Sequence, residues 1–319
     1  MKIVDLDGYG LNPGDLSWDG FKKLGEFITY DRTGADQQKI LARIADAEAV
    51  LTNKTPLDRA VIEQAPNLKY IGVLATGYNV VDVATAKEKG ITVTNIPSYS
   101  TAEVAQHTMA LLLEVTNQVG LHATAVENGE WTHAKDFTFW KKPLIALPGK
   151  TLGLIGFGHI SQAVAHLAHA FGMKVIFYNH RPRKFAEEWL QQVSLADLYA
   201  QADVISLHVP QTAETEKMID QAAIEQMKTG VILLNTARGG LLDEAAVAQA
   251  LNNDKIYALG ADVVSEEPIE AENPLLKAKN VYLTPHIAWA PTAARSRLMK
   301  IAVNNLVSFQ AGEPINVVN

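Results

Sequence analysis

The stretch Thr151-Leu152-Gly153-Leu154-Ile155-Gly156-Phe157-Gly158-His159-Ile160-Ser161 decides the reading of this chain. A short apolar run ends in two glycines one residue apart. Beyond them Ile160, Ala163/Val164, Leu167 and Phe171 recur at helical spacing, and Gly172 stands where a helix would be capped. Strand, Gly-x-Gly and helix, in that order, let the backbone turn tightly and approach a pyrophosphate while the helix N-terminus offers N–H donors. Gly156, Gly158, His159 and Ile160 are therefore candidate phosphate contacts. The third glycine of such loops serves helix–strand packing; here the position is Ser161, still small. The bland alternative is a tight strand–helix turn without a ligand.

Outward from this loop, β-rich runs alternate with helical stretches. Downstream, Thr151–Ile155, Lys174–Tyr178, Asp203–His208, Val231–Asn235, Ala258–Val263 and Asn280–Leu283 read as six strands, with helices such as Ile160–Phe171 and Glu244–Leu251 between them. Six strands in βαβ order satisfy a Rossmann domain. Upstream, Lys2–Leu6, Phe27–Asp31, Ala49–Thr52, Tyr70–Leu74 and Thr92–Asn95 read as five more, separated by Gln37–Ala47 and Leu57–Ala65. Both series imply α/β parallel sheets. Thr101–Val126 reads as one long helix, and Thr292–Ala311 as another; Trp131–Trp140 is aromatic, irregular and projecting.

The 319 residues suit two domains, and 48% apolar content supplies their cores. A net charge of −7, with one short basic run at Arg181–Lys184, excludes a broad nucleic-acid surface. No cysteine is present, which excludes a disulfide scaffold, a thiolate metal site and a Cys nucleophile and fits a reducing compartment. No metal site is expected: His166 and His169 lack an acidic partner in sequence and read as a helix face. Met1–Gly10 is no secretory signal, and no apolar run approaches membrane-spanning length, so a cytoplasmic protein without membrane partners is expected.

The second strand of a dinucleotide-binding domain normally ends in an acid that binds a ribose 2′-OH. Here that position is Asn179, followed by His180 and Arg181. Asn does not repel a 2′-phosphate, and Arg181, with Arg183, can neutralise one, which favours NADP or use of both dinucleotides. The alternative leaves the basic residues solvated and Asn179 on the ribose of NAD. His208 and Pro210 follow the third strand, near the same ligand.

C-terminal strand ends share one edge in a parallel sheet. Beyond three successive strands stand Thr236-Ala237-Arg238, then Asp262 with Glu266-Glu267-Pro268, then Thr284-Pro285-His286. Reduction of a 2-oxo acid needs these types: a cation for the carboxylate and ketone, a proton donor titrating near neutrality, and a carboxylate that fixes the imidazole. Each also has a bland reading, as a loop cap, a solvated turn residue or a structural histidine like His107, His122 or His133.

Together Gly156–Ile160, Asn235-Thr236-Ala237-Arg238-Gly239, Asp262 through Pro268 and Thr284-Pro285-His286 resemble the D-isomer-specific 2-hydroxyacid dehydrogenases, over essentially the whole chain. Thr52–Thr55, Leu74–Asn79 and His286–Ala290 are most similar to the glycerate dehydrogenase or hydroxypyruvate reductase branch. The resemblance implies a Rossmann cofactor domain, residues 100–289, inserted in a flavodoxin-like substrate domain, residues 1–99 plus 290–319. It implies Arg238, Glu267 and His286 as catalytic residues, with Arg238 and His286 also touching substrate. Thr236, Ala237 and Asp262 would contact cofactor, Asp262 at the nicotinamide amide. Ala75, Thr76 and Gly77 would bind the substrate carboxylate through backbone N–H groups. It further implies a homodimer built on Trp131–Trp140 and the long helix. The rival readings are another 2-oxo acid, or a dinucleotide-sensing binding protein.

Overall fold

A computed structural model describes residues 1–183 and 185–319; Lys184, last of the basic run, lies outside the described residues. The chain forms two compact units, Met1–Ser100 with Trp289–Asn319, and Thr101–Ala288.

The first unit alternates β1 (Lys2–Asp5), α1 (Asp19–Lys22), β2 (Glu26–Thr29), α2 (Gln37–Ile44), β3 (Ala49–Thr52), α3 (Arg59–Glu63), β4 (Tyr70–Val73), α4 (Val83–Glu88) and β5 (Thr92–Thr94). The strands are parallel in the order β2-β1-β3-β4-β5, the flavodoxin-like arrangement. β3 and β4 are buried along their whole length, as strands covered on both faces must be. Ile40, Ile44, Val61, Ile62 and Ala86 cover one face. The C-terminal helix Thr292–Gln310 covers the other with Ala294, Leu298, Ala302 and Leu306, packed on Ile3, Leu51 and Tyr70. Asp36, Asp58 and Asp82 start α2, α3 and α4 by accepting the N–H three residues on.

The second unit comprises α5 (Thr101–Asn117), α6 (Val119–Glu127), β6 (Thr151–Ile155), α7 (His159–Ala170), β7 (Lys174–Tyr178), β8 (Leu190–Gln192), α8 (Leu195–Gln201), β9 (Val204–Leu207), α9 (Gln221–Gln226), β10 (Val231–Asn235), α10 (Glu244–Asn252), β11 (Ile256–Ala261) and β12 (Val281–Leu283). All strands are parallel, in the order β12-β11-β10-β9-β6-β7-β8. α5 and α7 cover one face through Met109, Leu112, Val164 and Ala168; α8, α9 and α10 cover the other through Leu198, Ile224, Val247 and Leu251.

Two expectations need correction. The sheet has seven strands, not six, because Leu190–Gln192 adds a short edge strand beside β7. The long helix is broken at Gln118, whose backbone is left-handed (φ 50°, ψ 46°). There the Thr116 carbonyl accepts from Ile145 N, and the Glu114 carboxylate takes Gly120 N. These polar bonds end α5 within a run whose apolar spacing alone reads as continuous.

Candidate active site

In the second unit the strand order reverses between β6 and β9, the crevice where open α/β sheets bind ligands. Gly156 lies at that point with φ +86°. A Cβ there would stand 2.7 Å from the His208 carbonyl oxygen, so only glycine lets β6 turn against the end of β9. Gly158, by contrast, would meet nothing within 4 Å. It is the N-cap of the twelve-residue α7 and provides no side-chain cap, so the first N–H groups of that helix have no acceptor among the described residues. Anion-binding helix starts have this form, and the cradle fits a dinucleotide pyrophosphate. His159 is exposed and Ile160 half-buried at the helix start, while Ser161 packs fully buried in the place of a third glycine.

Beyond β7, Asn179 donates its amide to the Arg181 carbonyl, and Gln192 donates to the Asn179 carbonyl. Arg183 turns back onto the glycine loop and donates to the Phe157 carbonyl at 3.2 Å. His180 and Arg181 are exposed, and the Arg181 guanidinium has no partner among the described residues. His208 bonds Ser206 Oγ through Nε2 at 2.9 Å, and desolvation holds its imidazole down at about 4, so it stays neutral. Pro210 is exposed, its carbonyl taken by Thr215.

Three adjacent strand ends carry the remaining candidates. After β10, buried Asn235 clamps the loop: its Oδ1 accepts from Ala237 N at 3.0 Å, and its Nδ2 donates to the Arg238 carbonyl at 2.8 Å. The exposed Arg238 guanidinium touches only the Ala237 carbonyl, at 2.7 Å, among the described residues. Gly239 follows because a Cβ would collide with the Val264 backbone, 1.8 Å away, in the loop that follows β11. Thr236 Oγ1 lies 2.8 Å from Thr108 Oγ1 of α5.

After β11, Asp262 is 1% exposed. Its Oδ1 accepts from Thr284 Oγ1 (2.5 Å) and Ile287 N (2.9 Å), and its Oδ2 from Ala288 N (2.8 Å). Its carbonyl takes His286 N at 2.8 Å. Asp262 therefore grips both sides of His286, whose backbone is left-handed at φ 55°. That conformation costs a non-glycine residue about 1 kcal/mol or more and persists only where neighbours enforce it. The enforced loop brings His286 Nδ1 to 2.6 Å from Glu267 Oε2, with both side chains a little over one quarter exposed. Glu267 is carried by a loop that Glu244 anchors, through Ser265 N, Ser265 Oγ and Asn273 Nδ2.

In the first unit the Leu74–Asn79 turn follows β4. The Ala75 carbonyl accepts from Ile96 N, the Thr76 carbonyl from Asn95 Nδ2, and Thr76 Oγ1 donates to the Ile96 carbonyl. The carbonyls are thus tied down, while the N–H groups of Ala75, Thr76 and Gly77 have no acceptor among the described residues. The sheet's own reversal point, between β1 and β3, is filled instead: the Asp7 carboxylate accepts from Asn53, Lys54 and Thr55 N at 2.8, 2.7 and 2.6 Å. An anionic ligand is excluded there, and the turn after β4 remains the available cradle.

Sequence reading passed over Asn235, Glu244 and Asp7 as site-building residues and took His107 as merely structural. The bonds of Glu244, Asp7 and His107 join segments far apart in sequence; Asn235 bonds locally, two and three residues on, and carried a local signal as an Asx-type clamp.

Residues 109–288 match the family described as D-isomer specific 2-hydroxyacid dehydrogenase, NAD binding domain. A hydroxypyruvate reductase of Blautia hydrogenotrophica is 54% identical over 321 residues, covering all of both chains. A glycerate dehydrogenase of Methylorubrum extorquens is 39% identical, covering 99% of this chain and 98% of that one. An acyclic imino acid reductase solved with NADPH and D-Arg superposes with a TM-score of 0.86 at 31% identity, covering both chains completely. With the strand-end constellation and the open glycine cradle in one parallel sheet, these likenesses make the chain a member of the D-isomer-specific 2-hydroxyacid dehydrogenase family.

Proposed function

We propose that the protein reduces hydroxypyruvate- or glyoxylate-type 2-oxo acids to D-2-hydroxy acids, giving D-glycerate from hydroxypyruvate, with NAD(P)H as reductant. The observation that carries this reading is the 2.6 Å imidazole–carboxylate pair of His286 and Glu267, two strand ends from a guanidinium with no acidic partner among the described residues. The names of the 54% and 39% identical relatives support the choice of substrate.

The dinucleotide supplies the hydride. Everything else falls to the chain's own groups. The Glu267 carboxylate accepts from His286 Nδ1, which leaves Nε2 to carry a proton to the substrate carbonyl oxygen as it gains charge. Arg238 pairs with the substrate carboxylate and polarises the ketone. In the first unit the N–H groups of Ala75–Gly77, without an acceptor among the described residues, offer a backbone nest of the kind that takes a carboxylate. Asp262 holds the His286 loop; Oδ2 accepts one bond from Ala288 and keeps a lone pair for the nicotinamide amide.

For the cofactor we favour NADPH, or use of both dinucleotides. Asn179 presents no charge that would repel a 2′-phosphate, and the exposed Arg181 guanidinium two residues on is unengaged among the described residues. We further propose a homodimer formed through the second unit. Val119, Val126, Trp131, Phe137, Trp140 and Leu144 are all exposed there, a large apolar surface for a chain left alone. No helix among the described residues is long and apolar enough to cross a membrane; a cytoplasmic location remains part of the proposal.

Initial rates of hydroxypyruvate reduction near pH 7, with NADH and NADPH in parallel, test the reading. Turnover with NADPH preferred supports both substrate and cofactor. Turnover with NADH alone keeps the enzyme and discards the phosphate site. If hydroxypyruvate, glyoxylate and pyruvate all fail with both dinucleotides, the activity is refuted in favour of a dinucleotide-binding protein.

A further inference from the structure

α5 places two consecutive side chains against two different strand-end loops. His107 Nε2 lies 2.9 Å from Thr284 Oγ1, and Thr108 Oγ1 lies 2.8 Å from Thr236 Oγ1. The first loop leads into His286, the second into Arg238.

The proton arrangement of the first contact follows from counting donors. Thr284 has one hydroxyl proton, and its 2.5 Å partner is the Asp262 carboxylate, which only accepts. Thr284 Oγ1 therefore accepts from His107, whose proton sits on Nε2. Asp262 Oδ1 is also 3.5 Å from that nitrogen. His107 thus donates to Thr284 and Thr284 to Asp262, which also accepts from the N–H groups of Ile287 and Ala288 and, at its carbonyl, from that of His286. On the second contact Thr108 donates back to the Val104 carbonyl, so its oxygen is open to the Thr236 hydroxyl.

We infer that His107 and Thr108 are positioning residues: by bracing the loops after β12 and β10 from one rigid helix, they fix the spacing of His286 and Arg238. Neighbours on a helix point about 100° apart, so a helix crossing the strand ends can reach two loops with successive residues. Asp262 alone could hold the His286 loop, but without His107 the Thr284 oxygen loses the donor that ties it, and through it Asp262, to α5. Misplacing a reacting group by about 1 Å costs up to about 10²-fold in rate, so a weak brace has a large lever.

This inference rests on the reductase reading for its kinetic test, but not for its spectroscopic one. His107→Gln keeps an N–H donor at similar reach; His107→Leu keeps bulk and loses it. With any 2-oxo acid the parent reduces, kcat should fall about tenfold in H107L, with the cofactor KM within about twofold, and recover to within about threefold of parent in H107Q. T284V, which loses the Asp262 bond as well, should fall at least as far as H107L, and the double variant should be no worse than T284V alone. In parallel, the Cε1–H resonance of His286, assigned by its loss in H286A, should move in H107L and T284V but not in H107Q. Additive losses in the double variant, equal impairment in H107L and H107Q, or an unmoved His286 resonance would overturn the brace. Should the parent reduce no 2-oxo acid, the His286 resonance decides alone.

Discussion

The imidazole Nδ1 of His286 and the Oε2 of Glu267 stand 2.6 Å apart on loops that follow adjacent strands. An unpaired carboxylate and imidazole at a surface would each be solvated separately; here both are steered by other groups, His286 by Asp262 and the Glu267 loop by Glu244. The pair is built, and its purpose is testable. His286→Ala should lower kcat by about 10²- to 10⁴-fold while leaving dinucleotide affinity near the parent value. Glu267→Gln should lower kcat by roughly 10²-fold, since a neutral amide neither favours the imidazolium nor fixes the tautomer. Initial rates plus a fluorescence titration of NADPH separate the two effects. If H286A retains half the parent rate, the proton donor lies elsewhere.

Arg181 and Arg183 look alike in sequence and differ in the structure. Arg183 is engaged with the Phe157 carbonyl of the glycine loop; Arg181 is open to solvent. Arg181→Ala should therefore raise the KM for NADPH about tenfold, the value of one charge-assisted bond to phosphate, and leave that for NADH within about twofold. Arg183→Ala should weaken both dinucleotides alike, because it loosens the glycine loop proposed to cradle the pyrophosphate. Equal losses for both dinucleotides in R181A would remove the 2′-phosphate contact from consideration.

Trp140 is 65% exposed and lines an apolar hollow with Val119, His122, Val126 and Leu144. A surface of this kind is expected to be covered. Light scattering behind gel filtration should give twice the chain mass of 34.7 kDa for the parent. Trp140→Glu should halve it, because a buried unpaired carboxylate opposes association more than a lost ring does. A parent that runs as a monomer at tens of micromolar would refute the dimer.

Both sheets are legible in sequence because parallel strands covered on two faces are short apolar runs, and Gln37–Ile44 or Glu244–Asn252 shows its helical period directly. Leu190–Gln192 escapes because an edge strand of three residues, two of them Gln, has no pattern to show. The break at Gln118 escapes because its cause, Ile145 N on the Thr116 carbonyl, lies beyond the helix. The same holds at the site. Arg238, Glu267 and His286 stand out because each follows its strand by a few residues, so that topology alone puts them on one edge. Asp7, His107 and Glu244 act across roughly 20 to 180 residues of sequence, and no local spacing announces a hydrogen bond of that range.

Asp5 offers a test of the first unit that needs no substrate. It ends β1 fully buried, with Thr29 Oγ1 donating to its carboxylate at 2.8 Å. Burial pushes its carboxyl from 3.8 up to about 7; the Thr29 bond opposes the shift and the nearby Asp7 charge adds to it. The folded state therefore holds a proton that the unfolded chain has already released between pH 3.8 and about 7. Stability from this group is complete below the unfolded value, declines as pH rises through that window, and is level above it. The span corresponds to an upper bound of about 4 kcal/mol. Asp5→Asn mimics the protonated acid at every pH. Calorimetric unfolding should give D5N and parent their most similar midpoints near pH 4, with D5N progressively more stable up to about pH 7 and the difference level above that. Parallel midpoint curves across that range would mean that Asp5 enters the fold ionised, its charge compensated within the β1–β2 loop cluster.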